Sequence, residues 1–189
     1  AHEYVSPRYR TLTPEETEVR RIAYALKIPT DPTDMTYRQP ARALASLLYA
    51  DAPKDHCIVL IPVPNSTGCT RANHMLAWQI TGALKVYHCT CRSICVKLAL
   101  TRSHPVESSC KRRLCGLDSL RGKEHAFKRL PVKLPHSGYA YYFVDNVATT
   151  GATLQACHDT LGFGDGIVWA DAGRPLRDVI TAHFAIEEA

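Results

Sequence analysis

Long apolar runs are missing from this 189-residue chain. A membrane-spanning helix needs roughly 20 consecutive apolar residues, and no stretch approaches that, so no membrane partner is expected. The opening, Ala1 to Arg10, is polar and has no apolar signal core, which gives the expectation of a cytoplasmic protein. Paired Cys-x-x-Cys spacing is also missing, although there are eight cysteines: Cys57, Cys69, Cys89, Cys91, Cys95, Cys110, Cys115 and Cys157. A domain of this size without a secretion signal does not need disulfide staples, so these read as mostly reduced thiols that pack as small apolar groups. A structural zinc stays open, because Cys89, Cys91, Cys95, Cys110 and Cys115 cluster in mid-chain near His88 and His104. No internal repeat, low-complexity segment, Ser-His-Asp set or Cys-His set is visible. Nothing points to a side-chain nucleophile.

The net charge of +5 is unevenly spread. From Lys97 to Lys133 ten Lys or Arg face three acids (Glu107, Asp118, Glu124), a local +7 that leaves the remainder near −2. Such a segment implies an anionic partner, either a polyphosphate or a nucleic acid.

One stretch organises the rest. Tyr139 to Val144 is apolar and strand-like; Asp145 and Asn146 follow, then Ala148, Thr149, Thr150 and Gly151, and a helical pattern opens at Ala152 and Thr153. A glycine beside hydroxyls at a helix N-terminus can hold an anion, since the first-turn N–H groups lack partners and the dipole favours negative charge. An acid at the carboxyl end of the strand stands where open α/β sheets bind ligands, and it can accept bonds from sugar hydroxyls. The arrangement reads as a ribose 5-phosphate site.

Phe143 to Leu154 resembles the PRPP-binding motif of type I phosphoribosyltransferases, an apolar strand, two acidic residues and a Thr-Thr-Gly-Ala-Thr loop. The second acidic position is Asn146, which can hydrogen-bond a hydroxyl but carries no charge. The resemblance implies an α/β fold of the type I phosphoribosyltransferase kind: a mostly parallel sheet flanked by helices, an N-terminal helical extension and a flexible hood loop. It also implies transfer of a phosphoribosyl group from PRPP to a nitrogenous base with Mg²⁺ as cofactor. Asp145 and Asn146 would hold the ribose, Asp145 would also meet the metal, and Ala148, Thr149, Thr150, Gly151, Ala152 and Thr153 would bind the 5-phosphate.

Read in order, residues 1–54 form an arm and two helices, and residues 55–189 the α/β domain. Thr13-Pro14-Glu15-Glu16 is a capping box that opens a helix to about Leu26, and Pro40 to Tyr49 is a second helix. Both look like a cap or dimer element outside the core sheet. Cys57 to Ile61 is an unbroken apolar run, as expected of a parallel strand covered on both faces. After it the resemblance places a pyrophosphate loop on Asn65, Ser66, Thr67, Gly68 and Arg71. A helix from about Ala72 to Leu84 follows, then a second core strand within Val86 to Cys89 or Ile94 to Leu100. The segment from Arg102 to Lys123 corresponds to the hood, with Arg102 also on the pyrophosphate and Arg121 and Ala126-Phe127 similar to ComF-type members. Gly162 stops the helix from Ala152, and Gly166 to Ala170 is a further strand. Trp169, Asp171 and Arg174 are candidates for base contacts, with Trp169 open to a core role; Leu176 to Ile186 adds a last helix or edge strand. Two rival readings remain. One is a PRPP-binding sensor or accessory factor in DNA uptake or processing, without transfer; the other is a zinc-stabilised binding module. A homodimer is expected.

Overall fold

The computed structural model describes residues 13–28, 35–86, 93–108, 111–112, 115–118, 120–148 and 150–171. Its strands are β1 (Cys57–Pro62), β2 (Ser93–Val96), β3 (Leu100–Arg102), β4 (Phe127–Arg129), β5 (Tyr139–Ala148) and β6 (Asp165–Asp171). Four of them form a parallel sheet in the order β2-β1-β5-β6, and β3 pairs antiparallel with β4 as a separate ribbon. The helices are α1 (Pro14–Ala25), α2 (Arg38–Asp51), α3 (Arg71–Val86) and α4 (Ala152–Leu161). The protein is therefore α/β, with a mostly parallel sheet flanked by helices.

Local chemistry accounts for several boundaries. The Thr13 N–H donates to Glu16 Oε2 at 2.8 Å and the Glu16 N–H donates to Thr13 Oγ1 at 3.2 Å, closing the capping box that starts α1. α4 runs from Ala152 to Leu161, and Gly162 takes the left-handed conformation at its C-cap. The second core strand is β2, from the later of the two candidate stretches. Of the earlier one, Val86 is the last residue of α3, and Tyr87 to Cys89 lie outside the described residues.

One expectation is corrected. The acid was expected to end the central strand at Val144, yet β5 continues to Ala148 because β6 pairs along it, with Asp145 opposite Val168 and Ala148 opposite Asp171. A partner strand overrides the local turn signal of Asp145-Asn146.

Both faces of the sheet are covered, as the apolar run of β1 predicts. On one face Ile58, Leu60, Tyr142, Val144 and Trp169 share a core with Ile22 and Leu26 of α1, Leu44 and Leu48 of α2, and Leu76 and Ile80 of α3. The two N-terminal helices thus pack on the sheet itself. On the other face Val59, Ile61, Tyr141 and Phe143 meet Cys157 and Leu161 of α4 and Leu100 of the ribbon. β1 leads to β2 on one side while β5 leads to β6 on the other, so the winding reverses between β1 and β5. Ligands of open α/β sheets collect at the carboxyl ends of strands flanking such a reversal. Among the described residues no helix is long and apolar enough to cross a membrane.

Candidate functional site

At that reversal lies a cavity of about 400 Å³, within the range of pockets that take small ligands. β5, α4, the loop after β1, the segment between β3 and β4 and the end of α1 all contribute to its wall. Of the residues expected from the sequence, Asn65, Ser66, Arg102, Asp145, Asn146, Ala148, Gly151, Ala152 and Thr153 line it together. Residues far apart in the chain converge because β1 stops at Pro62 while β5 runs on past it.

The α4 end suits an anion. Gly151 is the N-cap at φ 73°, a left-handed conformation that favours glycine, and has no side chain with which to cap the helix. First-turn N–H groups beyond Ala152 have no intrahelical acceptor and can meet a ligand, and the dipole adds positive potential there. Thr150 is exposed and lies outside the cavity lining; its Oγ1 accepts from the Ala152 N–H at 3.4 Å. Thr149 lies outside the described residues.

Two acids line the cavity, the exposed Glu107 and the half-buried Asp145 of β5. Asp145 Oδ1 accepts the Asn146 N–H at 2.8 Å and the Asn73 Nδ2 at 3.0 Å, while Asn73 Nδ2 also donates to the Val63 carbonyl at 2.8 Å. Asn73 therefore aims the carboxylate from α3. Burial pushes the Asp145 carboxyl from 3.8 up to about 6, against the opposing pull of the Asn146 N–H, Asn73, Lys27 and Arg102. It is mostly ionised at neutral pH. Asn146 is itself buried.

The loop after β1 engages many of its own polar groups. The Thr67 and Cys69 N–H groups donate to Asn65 Oδ1 at 3.0 and 2.9 Å, the Gly68 N–H to the Asn65 carbonyl at 3.0 Å, and the Asn65 N–H to the Cys69 carbonyl at 2.9 Å. These donors are spent inside the loop. Thr67 and Gly68 are not part of the cavity wall, and neither is Arg71, an exposed residue at the start of α3. Of the expected residues of this loop, Asn65 and Ser66 line the cavity, beside Pro64 and Cys69.

Arg102 is more constrained than a free phosphate clamp. Its Nε donates to the Asn65 carbonyl at 2.6 Å, one terminal nitrogen to the Pro64 carbonyl at 3.3 Å and the other to the His125 carbonyl, and the guanidinium lies 4.1 Å over the Phe127 ring. It joins the loop after β1 to His125, just before β4. The segment after β3 is also held to that loop by the Val106 N–H, which donates to the Ser66 carbonyl at 2.8 Å. Part of its charge is neutralised internally, since Glu107 lies 3.2 Å from Lys111 and 3.7 Å from Arg112.

Trp169 takes the core role. It is 3% exposed and its indole N–H donates to the Val19 carbonyl at 3.3 Å, fastening α1 to β6 rather than facing a base. Asp171 ends β6; its side chain, Arg174 and the segment Leu176 to Ile186 lie outside the described residues. Cys57, Cys69, Cys95, Cys115 and Cys157 are free thiols, whereas His88, Cys89, Cys91 and Cys110 of the mid-chain cluster lie outside the described residues. Burial pushes the Cys157 thiol up, which keeps it unreactive.

No protein-family model and no curated protein matches this chain.

The cavity also holds residues that the sequence did not single out. Asn73 was detectable as a polar residue within the buried stripe Asn73, Leu76, Ala77, Ile80 and Leu84 of α3. Tyr24 enters from α1 and Lys27 from just past its end, and no sequence pattern links them to Asp145. His125 is 3% exposed, its Nε2 lies 3.0 Å from the Leu120 carbonyl, and its Nδ1 is buried with no hydrogen bond. Burial, with the Arg102 charge adding to it, holds this imidazole below its ordinary 6.5, against the pull of the Leu120 carbonyl and Glu124. The stability that His125 contributes is thus present above about 6.5 and lost as pH falls through the lowered value. In melting experiments from pH 8 to pH 5, His125→Phe is expected to gain on the wild type as the pH falls; parallel curves would show that His125 is charged or exposed.

Proposed function

We propose that this protein binds PRPP with Mg²⁺ and transfers its phosphoribosyl group to a nitrogenous base with release of pyrophosphate, on a fold of the type I phosphoribosyltransferase kind. The observation that carries this reading is the pairing of a glycine-capped helix N-terminus, Gly151 to Thr153, with the partly desolvated acid Asp145 in one cavity at the sheet's reversal point. The first holds a phosphate and the second a ribose, at the spacing that one strand-to-helix connection allows.

In this reading the 5-phosphate sits on the first turn of α4. Asp145, with Oδ1 already occupied by Asn73 and the Asn146 N–H, offers Oδ2 to the ribose hydroxyls. A base nitrogen attacks the anomeric carbon as the bond to the pyrophosphate oxygen breaks, and the electron pair leaves with pyrophosphate. Positive charge develops on the ribose ring, beside an ionised Asp145 that stabilises it. Ser66 and the two Arg102 N–H groups left over from its carbonyl bonds face the departing group. Mg²⁺ is bound in many phosphate-using sites by one or two carboxylates plus the substrate's own phosphates, and a single Asp145 fits that pattern better than an all-protein cage. When bound, Mg²⁺ would neutralise charge on the leaving pyrophosphate.

Calorimetric titration with PRPP is expected to show Mg²⁺-dependent binding, and a screen of bases to show base-dependent pyrophosphate release. Absence of PRPP binding with and without Mg²⁺ would overturn the reading. A second reading keeps the PRPP site without transfer, as a sensor, and the neutral Asn146 in the second acidic position favours it. PRPP binding with no release for any base would select it.

A further inference from the structure

β1 and β5 part at the cavity, and a side chain of α3 stands in the fork. The Val63 N–H still donates to the Val144 carbonyl at 3.0 Å, but the Val63 carbonyl accepts from Asn73 Nδ2 at 2.8 Å, and the same nitrogen donates to Asp145 Oδ1 at 3.0 Å. Asn73 takes the place of the next rung of the sheet. A carbonyl and a carboxylate both require a donor, so both N–H bonds of the amide are spent and its orientation is fixed.

That orientation leaves the amide oxygen as the free end. Among the described residues no donor reaches Asn73 Oδ1, and the one buried side-chain polar atom without a partner is His125 Nδ1, so Oδ1 is open. Asn73 is 6% exposed and lines the cavity, which is where that oxygen opens. Asp145 repeats the pattern: its Oδ1 accepts from Asn73 and from the Asn146 N–H, whereas its Oδ2 is open and has no partner among the described residues. The two open oxygens flank one 3.0 Å hydrogen bond. A ligand that fits them brings donors on adjacent atoms, as the vicinal hydroxyls of a ribose do and an ionised phosphate does not.

Resting on the PRPP reading above, we infer that Asn73 is a second ribose-binding residue, whose Oδ1 accepts one ring hydroxyl while Asp145 Oδ2 accepts its neighbour, and that this pair makes the site selective for ribose over deoxyribose. An amide suits the place because it adds an acceptor and still donates to Asp145. A second carboxylate there would repel the first.

PRPP binding by the wild type is measured first. Ribose 5-phosphate and its 2-deoxy and 3-deoxy analogues are then titrated into wild type, Asn73→Leu, Asp145→Asn and the double variant, with melting curves to show that each is folded. Wild type should bind ribose 5-phosphate at least about tenfold tighter than one of the deoxy analogues, and Asn73→Leu should reduce that preference to about threefold or less. Asn73→Leu should also reduce it in the Asp145→Asn background, because the two oxygens meet different hydroxyls. Should Asn73→Leu not fold, Asn73→Ser, too short to reach a hydroxyl, is read by the same criteria. Equal losses for all three sugars would make Asn73 a strut of the fold, and no further loss in the Asp145→Asn background would make it act through Asp145 alone; either overturns the inference. A wild type that binds PRPP without discriminating among the sugars also overturns it and leaves the PRPP site standing. Failure of the wild type to bind PRPP would remove both.

Discussion

Asp145→Asn is expected to abolish Mg²⁺-dependent PRPP binding and, at the same time, to stabilise the fold at about pH 8. The two effects have one cause. Burial raises the Asp145 carboxyl from 3.8 to about 6, so the folded protein holds this proton more tightly than the unfolded chain does. The stability tied to that proton is fully present below 3.8 and is lost as pH rises through about 6. Above that value the ionised carboxylate costs at most about 3 kcal/mol, and about 1 to 2 kcal/mol is a reasonable expectation for a group that keeps some solvent contact. Asn preserves the shape and, through Oδ1, the bonds from Asn73 and the Asn146 N–H, yet has nothing to ionise. A rise in Tm of about 3 to 6 °C follows at pH 8. Near pH 4 the two proteins should converge. Loss of the charge that holds ribose and metal should lower PRPP affinity at least about 100-fold, a loss of about 2.7 kcal/mol. A variant that still binds PRPP, or that melts below the wild type at pH 8, would show that Asp145 serves the fold and not a ligand. The wild type should likewise lose PRPP affinity as the pH falls below about 6, in step with protonation of Asp145.

The second large effect is structural. Gly164 has φ 102°, and a Cβ there would stand 2.9 Å from Cζ and 3.0 Å from Cε2 of Phe143, a ring with no exposed surface. Gly164→Ala combines a backbone conformation that L-residues rarely adopt with overpacking against a fixed ring, together about 3 kcal/mol or more. The midpoint should fall by about 6 to 12 °C. Gly162→Ala is the control, because φ there is 82° but an added Cβ meets nothing within 4 Å. It should cost only about 1 kcal/mol. Equal losses in the two variants would mean that conformation alone, and not contact with Phe143, sets the effect. Phe143 lies two residues before Asp145 on β5, so displacing the ring should also weaken PRPP binding.

The fold was legible where local chemistry and tertiary context agree. The Thr13-Glu16 box, the apolar run of β1 and the glycine after Leu161 mark boundaries within a residue or two, since each signal acts at short range. It failed where a distant partner decides. β5 runs past Asp145 because β6 lies beside it, and the donors of the loop after β1 are consumed by the Asn65 carboxamide, which no spacing rule foretells. The candidate site divides in the same way. Asp145 and the turn at Gly151 are contiguous in the chain and were visible, while Asn73, Tyr24, Lys27 and His125 reach the cavity only through packing. Trp169 shows the limit of residue type as a guide: a large aromatic near the ligand edge serves the α1 anchor instead.

The unequal lengths of β1 and β5 bear on how this wall can be dissected. From Asp145 to Ala148, β5 has β6 on one side and no strand partner on the β1 side, and these four residues line the cavity. Part of the wall is therefore main chain, with N–H and C=O groups that every residue carries whatever its side chain. An alanine scan leaves those groups in place and will underestimate this strand, whereas replacing single amides by esters removes one donor at a time and would show how much of the ligand's hold belongs to the backbone.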